Sequence, residues 1–84
     1  MDATLNITLL GQNGDLSDLV PFDASDDEIR AWAIEAIRGG HVPGIVAQEA
    51  DFTDFVVDRI SAREDFPNRL FLRPKTPFGV TLAG

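Results

Sequence analysis

The chain contains no cysteine and a single histidine, His41. Without cysteine there is no disulfide staple, no thiolate metal site and no cysteine nucleophile, and no second soft ligand exists to complete a transition-metal site around His41. A solvated position near the negative end of a helix accounts for His41 without a metal or catalytic role. No apolar run approaches the roughly 18 residues that a spanning helix needs, and Met1 leads straight into Asp2 with no basic or apolar leader. The expectation is a soluble, cytoplasmic protein with no membrane partner.

Charge is missing by sign and by region. Residues 1–28 carry Asp2, Asp15, Asp18, Asp23, Asp26, Asp27 and Glu28 and no base, whereas residues 66–84 carry Arg69, Arg73 and Lys75 and no acid. The net charge of −7 is therefore spread as a dipole with an acidic start and a basic end. So acidic a chain, with few clustered cations, repels phosphate backbones, which argues against a nucleic-acid partner.

Catalytic patterns are lacking as well. Ser17, Ser25 and Ser61 have no nucleophile elbow around them. The acids between 15 and 28 lack the alternating spacing that wraps oxygen ligands around calcium, and Asn13-Gly14 has no following lysine or second glycine to make a phosphate loop. No catalytic residue, metal or cofactor is assigned, and the chain is read as a non-enzyme.

What is present is local order of a definite kind. Thr4 to Gln12 alternates, with Leu5, Ile7 and Leu9 on one face. Asn13-Gly14 is the dipeptide best suited to the two positive φ angles of a type I′ turn, so a hairpin is expected there, with Ile7 opposite Val20 and Leu5 opposite Phe22. Leu9 opposite Asp18 is the misfit in that register, to be relieved by a bulge near the turn. Pro21, lacking an amide hydrogen, belongs on an edge strand.

The segment FDASDDEIRAWAIEAIRGG, residues 22–40, then specifies a helix: Ser25 as N-cap, Glu28 completing a capping box, and three acids at the positive dipole end. Its apolar stripe is Ile29, Trp32, Ala33, Ala36 and Ile37, and Gly39-Gly40 stops it. Ile45-Val46-Ala47 is a candidate short strand. Residues 51–61 are open between helix and strand, with one or two helical turns around 53–58 preferred. Ser61 to Asn68 reads as an exposed loop. RLFLR, residues 69–73, is a strand with Leu70 and Leu72 inward, cut off by Pro74 and Pro77. Residues 74–84 form an extended or mobile tail after a single domain over 1–73.

This order gives an α+β fold, ββα(turn)β, in which one helix packs on a small mixed sheet and the last strand lies parallel to the first. Taken together, LNITLLGQNGD, VPFDASDDEIRAWAIEAI, HVPGI, DFTDFVV and NRLFLR resemble, in that order and over roughly residues 3–73, a divergent ubiquitin-like protein. DFTDFVV is similar to the Leu-Ser-Asp-Tyr turn of that family, and NRLFLR stands where its final strand stands. The resemblance implies a β-grasp-like fold and a protein partner. It also makes Gly84 a possible conjugation terminus, although Ala83 stands where the family's modifiers carry a second glycine.

The outward sheet face is expected to present Thr8, Leu10, Leu19 and Phe71 with Arg69 and Arg73 beside them, an apolar cluster with an arginine rim. Partner binding is accordingly assigned to Leu10, Leu19, Arg69, Phe71 and Arg73. The competing reading is that Phe78, Val80 or Leu82 of the tail folds back over them. Pro74 and Pro77 have the spacing of a polyproline ligand, but ending a strand is their simpler role. Two functions follow: a monomeric or weakly self-associating interaction module, or an assembly subunit that oligomerises through its tail or a sheet edge.

Overall fold

Leu5, Ile7, Leu70 and Leu72 are wholly shielded from solvent, and they lie side by side on two parallel strands. The computed structural model that shows this describes residues 1–63 and 67–75. The readings of Pro77, Phe78, Val80, Leu82 and Gly84, and of the tail beyond Lys75, lie outside the described residues.

The elements run β1 (Asp2–Leu9), β2 (Gln12–Asp15), β3 (Val20–Pro21), α1 (Asp26–Arg38), β4 (Phe55–Ile60) and β5 (Arg69–Pro74). The mixed sheet has the order β2-β1-β5-β4, with β3 also pairing β1. β5 runs parallel to β1, Leu5 beside Leu70 and Ile7 beside Leu72, as the order of elements requires. Pro21 does sit on an edge strand, paired only with Asp2 of β1. Among the described residues, one helix packed on a mixed five-stranded sheet is thus the architecture.

α1 forms as its sequence dictates. The Glu28 carboxylate accepts from the Ser25 N–H at 3.0 Å, and the Ser25 hydroxyl accepts from the Glu28 N–H at 3.1 Å. Ile29, Ala33, Ala36 and Ile37 are buried, while Trp32 is only half-buried at the margin of the core. The helix ends in a Schellman motif: Gly40 takes φ of 72°, its N–H bonds the Ile37 carbonyl at 3.1 Å, and the His41 N–H bonds the Ala36 carbonyl at 2.9 Å.

The hairpin departs from expectation. Its turn is Leu10-Gly11, with φ of 49° and 80°, and Asn13-Gly14 lies inside β2 with Ile7 opposite Gly14. Asn6 pairs with Asp15 but Ala3 with Val20, so residues 17–19 bulge out between β2 and β3 rather than near the turn. The reason is tertiary. A Cβ at Gly14 would stand 2.0 Å from the Pro43 carbonyl oxygen, so this glycine is spent on close approach of the chain after the helix. Asn13 is spent on a cross-strand amide pair with Asn6, at 3.0 and 2.8 Å. Leu10 accepts a left-handed backbone in their stead.

Two further expectations are corrected. Phe55–Ile60 is a strand and not helical turns, because β5 has a second free edge and the β-branched Val56-Val57 pair fits it. One tight turn precedes it: the Asp51 carboxylate accepts from the Thr53 N–H and hydroxyl at 2.9 and 2.6 Å, and Phe52 drops into the core, edge-on to Phe55 at 4.8 Å. The (turn) between helix and final strand is therefore a turn plus a strand. Residues 45–47 form no strand; Ile45 is buried in a turn, its N–H bonded to the Val42 carbonyl at 3.1 Å. In the 61–68 connection, Asn68 is buried, its carboxamide accepting from the Ala62 N–H at 2.6 Å.

Gly14→Ala is expected to cost about 3 kcal/mol, the upper end of overpacking, because the new methyl meets backbone that has no rotamer to change. Leu10→Asn is expected to add up to about 1 kcal/mol by relieving the left-handed penalty. Urea midpoints check both; an unchanged midpoint for Gly14→Ala would show that the 42–44 segment does not rest on β2.

Candidate functional site: the outward face of the sheet

Side chains alternate across a strand, so the registers place Asn6, Thr8, Asn13, Asp15, Arg69, Phe71, Arg73, Val56, Asp58 and Ile60 together on the face opposite the helix. This face divides into two chemically distinct halves. On β1 and β2 the polar groups satisfy one another: beyond the reciprocal Asn6–Asn13 pair, Asn6 donates to Asp15 at 2.8 Å and Asn13 to the Thr8 hydroxyl at 2.9 Å. Such a ladder offers a partner little that it does not already have.

On β4 and β5 the face is apolar with paired charges. The Arg69 guanidinium lies 5.3 Å from the Phe71 ring centre and donates to Asp15 at 3.2 Å. Arg73 Nε donates to Asp58 Oδ2 at 2.6 Å. Beside them a groove of about 260 Å³ is lined by Ile60, Ser61, Arg63, Pro67, Arg69 and Phe71. Ile60 remains 45 % exposed there, although isoleucine is among the residues most often buried.

The structure therefore brings three of the sequence-assigned residues, Arg69, Phe71 and Arg73, into one row on β5. Leu10 and Leu19, 78 % and 61 % exposed, do not line the groove. Leu10 occupies the turn after β1, and Leu19 the bulge before Val20, which pairs with Ala3 at the other end of β1. Seven residues of strand separate those levels, about 23 Å at ~3.3 Å per residue. Val56, Asp58, Ile60 and Pro67 escaped the sequence reading. Strand alternation across 55–60 was the signal that would have found the first three.

A second cavity, of about 300 Å³, lies on the helix side between α1 and the 51–53 turn, lined by Asp27, Arg30, Ile34, Asp51, Phe52 and Thr53. Its one cation is already engaged: Arg30 donates to Asp27 at 3.2 Å and to the Phe55 carbonyl at 2.9 Å, while its Nε is buried without a partner among the described residues. The sheet-face groove is the better candidate because apolar surface there has no cover among the described residues. His41 is exposed, with its carbonyl accepting from the Ser17 hydroxyl at 3.4 Å. Among the described residues no three metal-ligating side chains converge, and no helix is long and apolar enough to cross a membrane.

The Thr53 hydroxyl, and then its N–H, hold the Asp51 carboxyl below the ordinary aspartate value of 3.8 against a small opposing desolvation. Its contribution to stability is thus fully present above that ordinary value and disappears as pH falls through the lowered, folded one. In Thr53→Val the carboxyl is expected to titrate nearer the ordinary value, read by carbon-detected NMR; an unmoved titration would dissolve the turn as its cause. Comparison with known proteins finds no matching family model, and no curated sequence or solved structure matches the chain significantly.

Proposed function

We propose that the chain is a small, non-enzymatic, ubiquitin-like interaction module with a β-grasp-like fold, engaging another protein through the outward face of β4 and β5. The observation that carries this reading is the groove beside Phe71, Ile60 and Pro67, an apolar floor with arginines at its rim on a face whose other half is polar and self-satisfied. Aromatic and arginine side chains in such a setting have the composition of a binding hot spot. The parallel β1–β5 pair, the single helix and the hairpin order support the family comparison. Arg69, Phe71 and Arg73 are the central contacts in this reading, and Leu10 and Leu19 are outlying ones, touched by a partner broad enough to span the sheet. Covalent attachment through Gly84 is a variant, tested by seeking an adduct in a host lysate that vanishes when Gly84 is deleted.

Assembly through a sheet edge is the second reading, and the two terminal strands of the described sheet, β2 and β4, are what favour it. Light scattering at tens of micromolar separates the two, a monomer supporting the module. For the contact face, Phe71→Ala is expected to weaken partner capture about thirtyfold, the size of a hot-spot truncation. Leu19→Ala is expected to weaken it less than Phe71→Ala, with both variants keeping the wild-type circular dichroism. Undiminished capture by Phe71→Ala would remove this face from the proposal.

A further inference from the structure

The edge of β4 carries backbone groups that no described residue uses, and their direction follows from three hydrogen bonds. The Phe55 N–H bonds the Phe52 carbonyl at 3.0 Å, and the Phe55 carbonyl accepts from Arg30 Nη2 at 2.9 Å, so both groups of Phe55 point away from β5. The neighbouring Asp54 carbonyl accepts from the Lys75 N–H at 3.2 Å, towards β5. In an antiparallel ladder this direction alternates residue by residue. Val56, Asp58 and Ile60 therefore bond β5, while Val57 and Arg59 turn their N–H and carbonyl groups outward, where no described residue meets them.

Between those two residues stands Asp58, on the outward face and flanked by Val56 and Ile60. Both contacts that Arg73 makes to it use Oδ2, which leaves Oδ1 without a partner among the described residues. We infer that the β4 edge accepts one extended strand from another protein, antiparallel and in the pattern apolar–x–basic–x–apolar. An added strand bonded to Val57 and Arg59 sets one residue directly opposite Asp58 in a non-hydrogen-bonded pair, the closest side-chain approach in a sheet. A lysine or arginine there answers Oδ1. The residues two before and two after it then face Val56 and Ile60 and extend the apolar surface next to Phe71.

A second copy of this chain fits the same edge poorly. The symmetric register that uses both outward pairs, Val57 with Arg59 and the reverse, places Asp58 against Asp58. Like charges directly opposite are destabilising, and an inserted charge is a known guard against edge-to-edge pairing. The net charge of −7 also opposes self-association and favours a basic strand.

This inference rests on the interaction-module reading, and its test is kept separate from the Phe71 test. Twelve-residue peptides are selected from a randomised display library against the full chain, and the best binder is followed by amide hydrogen exchange. The expected consensus has lysine or arginine flanked two residues either side by apolar residues, and binding slows exchange at Val57 and Arg59 at least tenfold. Asp58→Asn is expected to weaken the peptide three- to tenfold. Val57→Pro, which removes an outward N–H that the sheet does not use, is expected to abolish binding; if it unfolds, the exchange data and Asp58→Asn still decide. A consensus without a basic residue, unchanged exchange at Val57 and Arg59, no enrichment, or protection of those amides by self-association would each overturn the inference. Loss of partner capture in Phe71→Ala alongside any of these would leave the sheet-face reading standing.

Discussion

The parallel pairing of β1 with β5 is the contact on which the molecule depends. It joins residues more than sixty positions apart, and it puts Leu5, Ile7, Leu70 and Leu72 in one layer under Ile29 and Ile37, all nearly or wholly shielded from water. Full burial of each such side chain is worth about 1.5–3 kcal/mol, so four of them supply ~6–12 kcal/mol before chain entropy is subtracted. This pairing joins the β2-β1 side of the sheet to the β5-β4 side. Among the described residues, β2 and β3 pair only with β1, and β4 only with β5.

The chain between α1 and β4 acts as a second layer of packing rather than as a loop. Val42, Ile45 and Phe52 all reach the core, and the path is pressed so closely against β2 that Gly14 and Pro43 leave no room for a methyl group. That closeness propagates outward. It draws Asn13-Gly14 into the strand, moves the turn to Leu10-Gly11, and pushes Leu10 and Leu19 to opposite ends of β1. The distribution of exposed apolar side chains is thus a consequence of how an irregular segment packs on the far side of the sheet.

Charge is arranged around this frame in two roles. Arg59 clamps the edge strand to the helix start, donating to the Phe22 carbonyl at 3.0 Å and pairing with Asp26, and Arg38 binds Glu35 and Glu49, whose hydrogen bond and field raise its pKa. Those pairs are exposed in large part, and pairs of that kind add little stability. Arg69 and Arg73 differ in their setting: they border apolar surface on the face of the sheet opposite α1, neutralised by Asp15 and Asp58. The surface there has hydrogen-bonding groups at its rim and hydrocarbon at its centre.

Short-range patterns were legible because their causes are local. Ser25 and Glu28 cap one another across three residues, Gly40 is where the chain needs a positive φ, Pro21 lacks a donor, and Leu70 and Leu72 alternate with Arg69 and Phe71; each would behave similarly in most folds. Asn13-Gly14 and residues 55–60 were not legible, since both had two locally sound conformations. The Pro43 carbonyl chose between them in the first case and the free edge of β5 in the second. The sequence by itself determined which segments are apolar on which side and where the helix begins and stops. Only the tertiary structure decided the register of the hairpin and the membership of the outward face, because those depend on which distant groups compete for the same glycine, amide or strand edge.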